Sequence, residues 1–153
     1  MMLFIGLGNE LRGDDAIGIH VIKSLMKTHP LLGRYLIEQG DLSRLLNHWN
    51  NEDVVLVDAI SSDKLEPGSL CITESTSEII DLRDTLFSTH GVNLGHLLQL
   101  GKQLGKMPRS MYFVGVVGKD WNMGDEMSLT VREALAEAKK RIVIHAHLFY
   151  VSH

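Results

Sequence analysis

The chain opens on an uninterrupted apolar run, residues 1–5, that ends in Gly6-Leu7-Gly8-Asn9. A run without polar alternation is what a strand covered on both faces of a parallel sheet requires, so it predicts a first, central strand. From Asp14 the period changes. Ile17, Val21 and Leu25 recur every four residues with Ile22 and Met26 beside them, and Pro30 follows, which predicts an amphipathic helix packing back on the sheet. Residues 35–37 predict a short second strand. Asp41 is placed to cap a helix whose apolar stripe is Leu42, Leu45, Leu46 and Trp49. Residues 54–57 form a third buried run that ends at Asp58, and Pro67-Gly68 turns the chain into Leu70-Cys71-Ile72, short enough to be a peripheral strand.

The second half continues the alternation. Residues 74–89 are polar without a clear period and predict a loop with at most a turn of helix. Leu94, Leu97, Leu98 and Leu104 mark a further helix, residues 111–117 a buried strand, and 118–126 a loop. In the last helix Thr130 and Glu133 have capping-box spacing and Ala134, Leu135 and Ala138 supply the packing face; residues 142–151 read as one more strand or a loose tail. Helices alternating with buried strands, without repeats or linkers, predict an α/β protein: a single domain over residues 1–153 built as a three-layer α/β/α sandwich.

Composition narrows the partners. Of 153 residues 44% are hydrophobic, enough for a full core, and 15 Lys+Arg against 19 Asp+Glu give a net charge of −4, which disfavours nucleic acid and anionic membrane surfaces. No apolar run approaches the roughly 20 residues that span a bilayer. The lone Cys71 cannot close an internal disulfide, and the opening run lacks the basic flank and cleavage site of a secretory signal, so a reducing cytoplasm is the expected location. Nothing in the pattern asks for a second copy, and a monomer is expected.

The candidate chemistry lies after the strands. Gly6-Leu7-Gly8 has no third glycine where a dinucleotide fingerprint needs one, because Leu11 stands there, and no acidic residue follows at the required distance; the two glycines are read as a sharp turn off the strand. In a doubly wound sheet, ligands bind beyond the carboxyl ends of the strands at the switch point, between the first and third strands if the order begins 2-1-3. Asp14 and Asp15 follow the first strand and Asp58 closes the third, while His90 precedes a helix in a loop able to reach the same edge. Two carboxylates and an imidazole there suit a divalent transition metal, or a shared proton in general acid/base work. Asp14, at a helix start, is read as a cap complementing the helix dipole. The remaining histidines lack ligand spacing, His145 and His147 reading as surface or tail residues, and Cys71 reads as a small buried hydrophobe.

The motifs together resemble a known family. Residues 4–18, Phe-Ile-Gly-Leu-Gly-Asn-Glu-Leu-Arg-Gly-Asp-Asp-Ala-Ile-Gly, resemble the opening of the hydrogenase maturation endopeptidases, which trim a C-terminal peptide from the large subunit of [NiFe] hydrogenases. Val57-Asp58-Ala59 resembles the second acidic motif, Ser88-Thr89-His90 the histidine loop, and Tyr112-Phe113-Val114-Gly115-Val116 the fourth-strand motif, so the likeness spans nearly residues 1–140. The resemblance implies an α/β/α fold with a mostly parallel sheet of about five strands. It implies metal contacts from Asp15, Asp58 and His90, catalytic carboxylates at Asp15 and Asp58 in an aspartic-type or metal-assisted peptidase, and nickel brought by the large-subunit precursor. Asp15 rather than Asp14 matches the family's ligand. Glu38-Gln39-Gly40-Asp41-Leu42 lacks the Gly/Thr-rich stretch of many members, and the last helix lacks their proline. Two other readings stand beside this one: a metal-dependent docking or chaperone module that uses the same residues without cutting, and a peptidyl-tRNA hydrolase, whose opening also carries Gly-Leu-Gly-Asn but continues with a Pro-Gly and a His-Asn pair absent here.

Overall fold

The computed structural model describes residues 1–81, 87–88 and 94–153. Five strands lie side by side in the order β2-β1-β3-β6-β4: β1 is Leu3–Leu7, β2 Arg34–Glu38, β3 Asp53–Ser61, β4 Leu70–Thr73 and β6 Ser110–Val117. The first four of that order run parallel, whereas β4 pairs antiparallel with β6 at the sheet's edge. The two-residue β5, Phe87–Ser88, adds an antiparallel pair to the end of β3, with Ser88 opposite Ile60. The fold is therefore the mostly parallel α/β sandwich that the alternating pattern predicts, and its order does begin 2-1-3.

Two apolar layers sandwich the sheet because side chains alternate across each strand. Phe4, Val55, Val57, Tyr112, Val114 and Val116 face α1 (Ile17–Thr28) and α5 (Leu129–Ser152). Leu3, Ile5, Leu7, Val54, Leu56, Met111 and Phe113 face the other layer, formed by α2 (Leu45–Trp49), α3 (Thr76–Asp81) and α4 (Leu94–Leu104). In that layer Trp49 is fully buried and its indole N–H donates to the Lys106 carbonyl at 2.8 Å. Asp41 caps as expected, accepting from the Ser43 N–H at 2.9 Å ahead of the 3-10 turn Leu42–Arg44.

Three expectations are corrected. Residues 142–151 are neither strand nor tail: α5 runs 24 residues to Ser152. Its buried positions Val131, Ala134, Ala138, Ile142 and Ala146 carry one helical stripe through the segment, and the small alanines let the helix lie close to the sheet. The Thr130/Glu133 capping box does not form, because Ser128 is the N-cap and turns its hydroxyl toward Asp14. His145, expected on the surface, is half-buried, whereas His147 is exposed, in line with that reading. The His145 ring stacks on Tyr112 with ring centroids 3.9 Å apart and meets Glu74 at 3.4 Å. Burial pulls its pKa down while the Glu74 carboxylate opposes that shift. Cys71 is half-buried, and burial with help from the Glu78 charge pushes its thiol pKa up, the opposite of an activated nucleophile. Among the described residues, no helix is long and apolar enough to cross a membrane.

Candidate active site at the carboxyl ends of the strands

The site is built around the way α1 returns across the end of the sheet. A Cβ added at Gly18, in the first turn of α1, would lie 2.5 Å from both the Leu7 and the Val57 carbonyl oxygens, so only glycine lets the helix seat on the junction of β1 and β3. Three residues earlier, Asp15 sits in the 3-10 turn Gly13–Ala16, which packs against β3. One residue past Val57 is Asp58. The two acids therefore flank the switch point where the strand order reverses, the position at which doubly wound sheets bind ligands.

The turn itself is held by the backbone. The Asp15 N–H donates to the Arg12 carbonyl at 3.0 Å and the Asp15 carbonyl accepts from the Asn9 N–H at 3.3 Å. Gly8 approaches that carbonyl so closely that a Cβ there would come within 2.0 Å, and its φ of +151° suits glycine. This closeness explains the second glycine of Gly6-Leu7-Gly8 without a nucleotide.

Both carboxylates are buried, each 1% exposed, although Asp58 stands at the strand end where a carboxylate in such a sheet usually opens to the crevice. The alternation along β3 sets Asp58 on the face of Val54, Leu56 and Ile60, toward α3 and α4, and its neighbour across on β6 is Gly115. His90, the third candidate, lies outside the described residues. The described chain on either side of it approaches Asp58: Ser88 pairs with Ile60, and Leu94 opens α4 in the apolar layer on Asp58's face. Carboxylate oxygens in such a buried place are hard donors of the type divalent cations accept. Among the described residues no three His, Cys, Asp or Glu side chains stand in ligating distance of one point.

Asp14 does a different job from the one its position suggests. It does not cap its own helix: the residue preceding α1 is Ala16, without a side-chain cap. Its fully buried carboxylate instead accepts from the backbone N–H groups of Lys119 at 2.8 Å, Asp120 at 3.0 Å and Ser128 at 2.7 Å, and from the Ser128 hydroxyl at 2.9 Å. Asp14 thereby pins the loop after β6 and the start of α5 to the Asp15 turn. Burial by itself raises a carboxyl pKa, but these donors outweigh it and hold Asp14 below the ordinary value. A further buried acid, Glu38 at the end of β2, is engaged by Arg44 at 2.5 Å. Sequence reasoning missed both roles, since neither the partners of Asp14 nor Arg44 lies at a spacing that marks it.

The chain as a whole is similar to known proteins. The hydrogenase maturation protease family profile matches residues 19–145. The chain belongs to the hydrogenase maturation protease family. It is 27% identical over 145 residues to the hydrogenase 2 maturation protease of Escherichia coli, covering 93% of this chain and 88% of that protein. The structure of the hydrogenase maturating endopeptidase HybD from E. coli superposes with a TM-score of 0.82 at 26% identity, covering 95% of this chain and 91% of that one. The [NiFe] hydrogenase maturation protease HybD from Thermococcus kodakarensis gives 0.74 at 31% identity, covering 95% and 99%. A peptidase fold of this family accounts for the architecture, and a peptidyl-tRNA hydrolase is not needed to explain the Gly-Leu-Gly-Asn opening.

Proposed function

We propose that this protein is the endopeptidase that removes a C-terminal peptide from the nickel-loaded large-subunit precursor of a [NiFe] hydrogenase. The observation that carries the reading is the placement of Asp15 in the turn after β1 and of Asp58 near the end of the adjacent β3, at the switch point of a chain in this protease family. The nickel is substrate cargo rather than a resident cofactor. Asp15, Asp58 and His90 contact it with oxygen and nitrogen donors while thiolates of the precursor hold it from the other side, a mixed set that the affinity order of divalent metals permits. Recognition of the metal thus gates the cut.

The hydrolytic step needs a base and a place for the water. A carboxylate of Asp15 or Asp58 takes a proton as the water oxygen adds to the scissile carbonyl carbon; the C–N bond then breaks and the proton passes to the departing amine. The test is to incubate the purified protein with nickel-loaded and nickel-free precursor and weigh the products by mass spectrometry. Shortening of the loaded form alone is the expected result. Equal shortening of both forms would remove the metal gate, and binding of the loaded form without any cut would leave a docking module in place of a protease.

A further inference from the structure

On the α1/α5 side of the Asp15 turn lies a groove of about 470 Å³ that the chemistry described above does not use. Gly13 and Ala16, the two ends of that turn, belong to its lining, so it opens directly beside the candidate site. Its walls are the segment after β1 and the loop between β6 and α5. They are joined by backbone hydrogen bonds, from the Gly124 N–H to the Leu11 carbonyl at 2.7 Å and from the Gly13 N–H to the Asp125 carbonyl at 3.1 Å. The Arg12 guanidinium adds a bond to the Trp121 carbonyl at 2.8 Å, and Asp14 ties down both ends of the loop. The groove is therefore pre-formed, and a ligand entering it does not have to order the walls.

Its chemistry is apolar inside and acidic at the rim. Leu11, Met127 and Leu135 line it; Leu11 is 66% exposed, and Met123, next in the chain to the lining residue Gly124, is 62% exposed. Two large apolar side chains left in water on adjoining loops serve no core. Glu10, Asp125 and Glu126 supply three negative charges to the lining against the single fixed positive charge of Arg132. Glu10 is compensated by Lys23 at 2.8 Å, but the Glu126 side chain is 91% exposed and only loosely paired with Arg132 at 3.7 Å.

We propose that this groove holds a segment of the large-subunit precursor in which an apolar side chain is flanked by lysine or arginine, anchoring the precursor beside the Asp15 turn while its tail is cut. The assignment rests on the maturation-protease reading for the identity of the partner; charge complementarity and the adjoining apolar lining select the kind of segment. The groove acts on docking, so its effect falls on KM and not on the bond-breaking step.

The test compares wild-type protein with Asp125→Lys/Glu126→Lys in steady-state processing of nickel-loaded precursor, with equilibrium binding of the same precursor measured by calorimetry. Both substituted side chains are exposed and leave the fold intact, which an unchanged melting midpoint checks. The expected result is a rise of at least about tenfold in KM with kcat retained, a matching loss in binding, and a wild-type affinity that weakens as salt is raised. Unchanged KM and binding in the charge-reversed protein would overturn the proposal, as would a fall in kcat at constant KM. If the wild-type protein does not cut, the proteolytic reading fails by itself, and the binding comparison still decides whether the groove docks the precursor.

Discussion

At the scale of single residues, Asp14 and Asp15 are adjacent acids: the partners of Asp14 make it a structural support, and the proposed function assigns the chemistry to Asp15. Asp14 is surrounded by four donors, so Asp14→Asn replaces a charged acceptor by an amide that presents its own N–H groups to them. Hydrogen bonds to charged groups are worth roughly 1.5–3 kcal/mol each, and the substitution is expected to cost about 2 kcal/mol or more in urea unfolding at neutral pH. The pH dependence follows from the depressed pKa. Unfolded Asp titrates near about 3.9, so the Asp14 contribution is complete above about pH 5 and is lost as the pH falls through the lower folded value. Asp14→Asn should therefore unfold more easily at neutral pH and lose less stability on acidification than the wild type, and parallel loss in the two proteins would refute this account. This division was half legible in the sequence. The switch-point rule pointed to acids after β1 and β3, but which of two adjacent buried acids becomes the support depends on the Lys119, Asp120 and Ser128 backbone more than 100 residues away, which no local spacing reveals.

At the scale of elements, two contacts hold helices to the sheet, one beside the site and one away from it. Gly18 seats α1 on the carbonyls of Leu7 and Val57, so Gly18→Ala must lift the helix by a few tenths of an ångström or more. Overpacking of this kind costs about 1–3 kcal/mol. The expected outcome is a lower melting midpoint together with slower processing per folded molecule, since the Asp15 turn moves with the helix. The other contact is Tyr150 near the end of α5, whose hydroxyl donates to the Leu32 carbonyl at 2.6 Å and accepts from the Met2 N–H at 2.9 Å. Tyr150→Phe is expected to cost about 1 kcal/mol, read by chemical denaturation, with processing unchanged because the clamp lies far from the Asp15 turn. The strands were readable because burial on both faces removes polar residues from them. The end of α5 was misread because Ile142-Val143-Ile144 carries the β-branched signature of a strand. On the helical stripe Ala138 and Ala146, either side of Ile142, are small residues with little hydrophobic contrast, so a helix fixed by packing resembles a strand in sequence.

The whole molecule is divided in purpose along its strands. At the amino ends Asp53 accepts from Arg109 at 2.5 Å and from the Ser110 hydroxyl at 2.8 Å, which locks β3 to β6; the Arg109 bonds hold the Asp53 carboxyl below its usual range. At the carboxyl ends the order β2-β1-β3 opens the switch point, with Asp15 in the turn after β1, Asp58 near the end of β3, and Gly13 and Ala16 of the Asp15 turn lining the groove. The Asp53 lock thus stands at one end of the sheet and the proposed chemistry at the other, where the Asp14 network supplies support of its own. The most direct measurement of the central claim is the rate at which nickel-loaded precursor is shortened by the wild-type protein and by Asp15→Asn and Asp58→Asn, each first shown to be folded by its melting curve. The account predicts that each substitution slows shortening by at least about a hundredfold, as loss of a positioned acid/base or metal-contacting group does. Shortening at the wild-type rate by either folded variant would contradict it.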